Sequence, residues 1–135
     1  MEVRACYEEM GSNFDEVLSR LGSEQMVQRF AIRFLNDKSY ETLEAALKEK
    51  DVDSAFRAAH TLKGVCVNLG FDKLYEVSSA LTEKLRAKEL DGTDVMFEKV
   101  KEQYDITVNA IRSSRIIKIM NLQEENKMEL SKMLA

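Results

Sequence analysis

The sequence predicts an all-α fold: an antiparallel four-helix bundle with short additional helices at the N-terminus. Three observations carry that expectation. The chain of 135 residues contains no proline and only five glycines. Leu, Ala, Glu, Lys and Met outnumber the β-branched residues, and straight side chains lose little rotamer freedom in a helix. Apolar residues recur at helical spacing along most of the chain, in runs separated by short breaks.

Ser12, with Asp15 three residues on, is the expected cap of a brief first helix whose apolar stripe is Phe14, Val17, Leu18 and Leu21. Gly22 stops it and Ser23 caps a second helix carrying Met26, Val27, Phe30, Phe34 and Leu35. The segment 36–39, NDKS, reads as a tight junction. A third helix runs from about Tyr40 to Glu49 with Tyr40, Leu43, Ala46 and Leu47 inward. Asp51 is placed to cap the fourth, with Asp53 at its positive end. Gly70 breaks that helix, and a fifth follows from about Asp72 with Leu74, Val77, Leu81 and Leu85 inward. An Asp-Gly turn lies in KELDGT (88–93), and a sixth helix from about Asp94 buries Phe97, Val100, Tyr104, Val108 and Ile111. Short connections make successive helices antiparallel neighbours. Residues 1–112 form the expected domain. Residues 113–135 form a helical tail whose packing the sequence leaves open between the bundle, a second chain and solvent.

Charge and composition narrow the function. A net charge of −4 argues against nucleic acid as the partner, which would call for a basic face. Two cysteines, Cys6 and Cys66, and one histidine make a poor metal set, so no metal and no cofactor are expected. The cysteines are expected to be reduced and buried. The N-terminus has no apolar leader segment, and no apolar run approaches the roughly 20 residues of a membrane span. A cytoplasmic monomer that engages no membrane is the expectation.

One stretch stands out, AFRAAHTLKGVCVNLGF (55–71), with the single histidine of the chain. On a helical wheel, Ala55, Ala59, Leu62, Cys66 and Leu69 form the core stripe. His60 lies about 100° from Ala59, off that stripe, with Gly64 and Val67 on its own face and Lys63 one turn along. Imidazole is a neutral nucleophile near neutral pH and can carry a phosphoryl group on nitrogen. Lys63 can offset the charge of that group, and Arg57 adds positive field. Gly64 has no Cβ, so a partner backbone can approach, which would offset the roughly 1 kcal/mol that glycine costs mid-helix relative to alanine. Read singly, each residue has a plainer explanation: a surface histidine, a solvated lysine, a glycine that serves close helix packing. Cys66 belongs to the core.

AHTLKGVCVNLG (59–70) resembles the signature of histidine-containing phosphotransfer domains, Ala-His-x-Leu-Lys-Gly followed by a further glycine. The likeness extends through VLSRLGSEQMVQRFAIRFLND, LEAALKEKDVDSAFRAAH and LYEVSSALTEKLR, over roughly residues 10–112. The resemblance implies a four-helix bundle whose histidine, here His60, accepts a phosphoryl group from an aspartyl phosphate on a receiver domain and passes it to another receiver. It implies Lys63 beside the phosphoryl group, Gly64 as the residue that admits the receiver, and Gly70 for backbone geometry. Its partners would be response-regulator receiver domains and a hybrid histidine kinase. Arg57 and Val67 are further candidates for the docking face, with Phe71 near it. Many members carry Leu-Glu in the next helix where this chain has Leu81-Thr82, with Glu83 adjacent, so no acidic partner is assigned to His60. No Gly-rich nucleotide loop accompanies the motif, so the chain is expected to be a phosphotransfer intermediate and not an enzyme with its own kinase domain. Met1 and the lack of a linker suggest a free-standing protein. The alternatives are the phosphoacceptor fragment of a hybrid or chemotaxis-type kinase, and a non-catalytic adaptor pairing through IIKIM (116–120).

Overall fold

The computed structural model describes residues 2–113 and residue 133. The described helices are α1 (Glu2–Glu9), α2 (Phe14–Leu21), α3 (Glu24–Phe34), α4 (Ser39–Lys48), α5 (Val52–Leu69), α6 (Asp72–Arg86) and α7 (Thr93–Ser113). The expectation for the tail lies outside the described residues, apart from an exposed Met133.

Helices α4 to α7 form an antiparallel bundle, each packed on the next across a short connection. The ring of helices closes where Tyr40 of α4 stacks on two rings of α7: on Tyr104 at 3.8 Å between centroids and on Phe97 at 5.5 Å. Leu43, Leu62, Leu74, Leu81, Leu85, Val100 and Ile111 fill the centre with almost no exposure. Burying each such side chain stabilises the fold by about 1.5–3 kcal/mol before entropy is counted. Ser78 also lies at the centre, and its hydroxyl has no hydrogen-bond partner among the described residues. Val77, expected inward, is only partly buried, because the α6 stripe turns Ser78 rather than Val77 to the core.

The three N-terminal helices sit against the end of the bundle where α5 hands over to α6. Phe34 of α3 packs edge-on against Phe71 at 5.0 Å, and Tyr7 of α1 lies 5.7 Å from both Phe71 and Phe14. Helix α1 is an addition to the elements expected from the sequence. Val3, Cys6 and Tyr7, with Met10 just past its end, follow an i, i+3, i+4, i+7 spacing, and all four are buried.

The caps are mostly as the sequence suggests. Ser23 accepts from the backbone N–H of Met26, Asp51 from that of Ser54, and Gly22 ends α2 with φ +91°. Such side-chain caps are worth about 1 kcal/mol each. Ser12 is the exception. Asn13 caps α2 by accepting from the N–H of Glu16 at 3.3 Å. Ser12 instead accepts from the N–H of Asp72 at 3.2 Å. The reason lies in α6, whose N-cap position is held by Phe71, a side chain with no acceptor. A serine 60 positions away supplies what Phe71 lacks.

Candidate functional site

Helix α5 positions every candidate residue, and both of its ends are fixed. At its start, Asp51 accepts from the backbone N–H of Ser54 at 3.1 Å and from its hydroxyl at 2.7 Å. These bonds hold the Asp51 carboxyl below the usual carboxylate range. At its end, Gly70 adopts φ +71° and its N–H returns to the carbonyl of Cys66, as does that of Phe71 at 2.9 Å. A Cβ on Gly70 would also come within 3.0 Å of the Val17 Cβ, so glycine is required there by conformation and by contact. Two further carbonyls of the last turn find partners in the N-terminal helices. Tyr7 donates its hydroxyl to Leu69, and Arg20 donates Nη1 to Val67 at 2.7 Å. A cation at that end also suits the helix dipole.

Between these ends the helix buries Ala55, Ala58, Ala59, Leu62, Cys66 and Leu69, and turns His60 to solvent. Gly64 lies one turn beyond His60, and a Cβ built there would meet nothing within 4 Å. Close packing against another helix therefore does not account for this glycine. Val67 continues the same face at 43% exposed, a high value for an apolar side chain in a helix of this fold. Phe71 does not join that face. It is 1% exposed, because the chain turns inward after Gly70 and the ring is enclosed by Tyr7 and Phe34.

The cations divide between the two flanks of α5. Lys63 leans toward α6, where its Nζ is 4.0 Å from a carboxylate oxygen of Glu83. The same carboxylate accepts from Nε of Arg86 at 3.2 Å. The Arg86 guanidinium lies over the ring of Phe56, 4.9 Å from its centroid, and Phe56 is 5.8 Å from the His60 ring. Arg57 lies on the other flank. Its Nη2 donates to the Ser54 hydroxyl at 3.1 Å, toward the helix start and away from His60. It borders an open groove of about 440 Å³ between α4 and α5, with Lys38, Thr42 and Thr61. The structure thus brings His60, Lys63, Gly64 and Val67 onto adjoining surface, and sets Arg57 to one side.

Four contributors escape the sequence motif. Phe56 is one turn before His60 and was legible by spacing. Arg20, Glu83 and Arg86 come from other helices, and only the packing of α2 and α6 on α5 reveals them. The result is that an acidic chain gathers Arg20, Arg57, Lys63 and Arg86 around the exposed side of one helix.

The cysteines take no part in this surface. Cys6 and Cys66 are buried and unpaired, and burial raises the pKa of both, that of Cys6 to about 12. Among the described residues, no group of three or more His, Cys, Asp or Glu side chains could hold a metal ion. No described helix is long and apolar enough to cross a membrane.

The family model described as "Hpt domain" matches residues 35–113, more than half of the chain. The matched span contains α4 to α7 and the whole of the site on α5, whereas α1 to α3, with Tyr7 and Arg20, precede it. No curated protein and no solved structure matches the chain.

Proposed function

The chain belongs to the Hpt domain family, and from that premise we propose that it is a histidine phosphocarrier in a two-component phosphorelay, with His60 as the phosphoacceptor. The observation that carries this reading is the exposed imidazole of His60 beside the bare backbone of Gly64, on a helix whose other face is core. A nucleophile that must meet an aspartyl phosphate held in another protein needs that access.

In the proposed reaction, Nε2 of neutral His60 attacks phosphorus in line. The N–P bond forms as the bond from phosphorus to the aspartyl oxygen breaks, and the aspartate leaves as carboxylate. His60 keeps its Nδ1 proton, so the phosphorylated ring is formed as an imidazolium that can release that proton to water. Onward transfer reverses these steps with a second receiver. Lys63 moves from its loose contact with Glu83 to the phosphoryl oxygens, where its charge is of greater use. Gly64 and Val67 make the surface on which a receiver seats, and Gly70 holds the end of the helix in shape. Arg57, on the α4 flank, contributes at the rim of that surface, where charges steer encounter more than they add affinity. The partners on this reading are receiver domains and a hybrid histidine kinase. Residues 1–112 are proposed as the working unit.

The test is incubation of the chain with a receiver domain phosphorylated on its aspartate. The wild-type chain gains an acid-labile phosphoryl group and His60→Gln does not. Acid-labile label on His60→Gln would refute the assignment.

A further inference from the structure

We propose that Glu83 is a positioning residue that governs how tightly the phosphoryl group is held, because it competes with that group for Lys63. The proposal rests on the phosphocarrier reading of His60.

Glu83 is held on one side by Arg86. Its two carboxylate oxygens lie 3.4 and 3.2 Å from Nε of Arg86. The Arg86 guanidinium carbon in turn lies over the ring of Phe56, one turn before His60, 4.9 Å from the centroid. Two contacts on Arg86, one ionic and one aromatic, therefore keep the carboxylate on the His60 side of α6. Among the described residues it also pairs with Lys63, at 4.0 Å, the outer limit of an ion pair. The Lys63 side chain is 24% exposed and that of Glu83 57%, so water screens the pair and the contact is weak. A weak contact is one that Lys63 can leave. A phosphoryl group on His60 offers it more charge and shorter hydrogen bonds. Lys63 then divides its time between two anions. Each interval spent on Glu83 is lost to the phosphoryl group, which raises the free energy of phosphorylated His60 and favours its transfer onward.

Arg86 cannot take over the part of Lys63 at no loss, since reaching the phosphoryl group would break both of the contacts that fix it. Glu83 thus acts through Lys63, and its removal frees Lys63 for the phosphoryl group.

The experiment equilibrates the full chain with a receiver domain phosphorylated by acetyl phosphate, and measures how the phosphoryl group divides between the two proteins. Glu83→Gln is expected to shift the division toward His60 by about twofold to fivefold, the range of an exposed ion pair. Glu83→Asp, which keeps the charge, should stay nearer the wild type. With Lys63→Gln already present, adding Glu83→Gln should produce no further shift. A division unchanged by Glu83→Gln would overturn the proposal, and so would a full shift that survives in the Lys63→Gln background. Melting temperatures distinguish this from damage to the fold, since the proposal requires Glu83→Gln to melt within a degree or so of wild type. His60→Gln separates the two levels: if it still gains the acid-labile group, the phosphocarrier reading fails, whereas loss of label there with no effect of Glu83→Gln rejects the role of Glu83 alone.

Discussion

The hydroxyl of Tyr7 donates to the carbonyl of Leu69 across 2.5 Å, so the first helix of the chain satisfies the last turn of the helix that carries His60. Tyr7 is fully buried, and burial raises its pKa, which keeps the hydroxyl a donor. Tyr7→Phe retains the ring contacts with Phe14 and Phe71 but leaves a buried carbonyl without a partner. The expected loss is about 1–3 kcal/mol of stability, read as a lower urea midpoint with an unchanged slope. An unchanged midpoint would mean that α1 is not coupled to α5 in this way.

Gly64 separates access from stability. A Cβ at that position has open space, and alanine is the better helix former. Gly64→Ala is therefore expected to be neutral or to stabilise by up to about 1 kcal/mol. Gly64→Gln should melt as the wild type does yet slow phosphoryl transfer by roughly tenfold or more, because its side chain rises beside His60 where the receiver must approach. Stopped-flow or quenched transfer assays alongside thermal melts check both halves. Equal transfer rates for Gly64→Gln and wild type would remove the docking role.

Lys63→Gln should behave in a complementary way. The ion pair it breaks is long and partly solvated, so the melting temperature should hardly move. The transfer rate should fall by about tenfold to a hundredfold, as expected when a charge that stabilises a transferring phosphoryl group is removed. A fall in binding alone, with the rate at saturation intact, would place Lys63 in docking rather than in the reaction.

Alkaline pH should weaken the fold through its thiols. Burial raises the Cys6 pKa from an ordinary 9.0 to about 12 and raises that of Cys66 as well. Above about pH 9 the unfolded chain gives up thiol protons that the folded chain keeps, so the unfolded state binds fewer protons and stability falls. The contribution is fully present below the unfolded value and is lost as pH rises through the folded one, at up to about 1.4 kcal/mol per pH unit for each thiol. Urea midpoints between about pH 7.5 and about pH 10.5 should decline accordingly, and thiol reagents should react only with the unfolded chain.

Much of this architecture is visible in the sequence because helix spacing and caps are local properties. The stripe Ala55, Ala59, Leu62, Cys66, Leu69 places the core side of α5, and His60 follows on the opposite side without any knowledge of the partner helices. Gly22 and Gly70 end helices in the left-handed conformation that favours glycine. What the sequence conceals is contact at long range. Ser12 has the spacing of a cap for its own helix, and it caps α6 because Phe71 cannot. Phe71 has the spacing of a surface neighbour of Val67, and the turn at Gly70 carries it into the core. Glu83 stands one position past the Leu-Glu that many family members carry, and its relation to Lys63 exists only because α6 packs beside α5. Helix α1 was legible in Val3, Cys6, Tyr7 and Met10, a stripe so short that its burial depends on the helices it packs against.

The most direct test of the account is the location of the phosphoryl group on the wild-type chain. Phosphorus-31 NMR, correlated with the imidazole protons of the chain after incubation with a phosphorylated receiver, reads the bonded atom itself. The account predicts one phosphoramidate signal coupled to the ring of His60 through Nε2. A signal from phosphorus bound to a carboxyl or hydroxyl oxygen, or no signal under conditions where the receiver loses its phosphoryl group only to water, would contradict it.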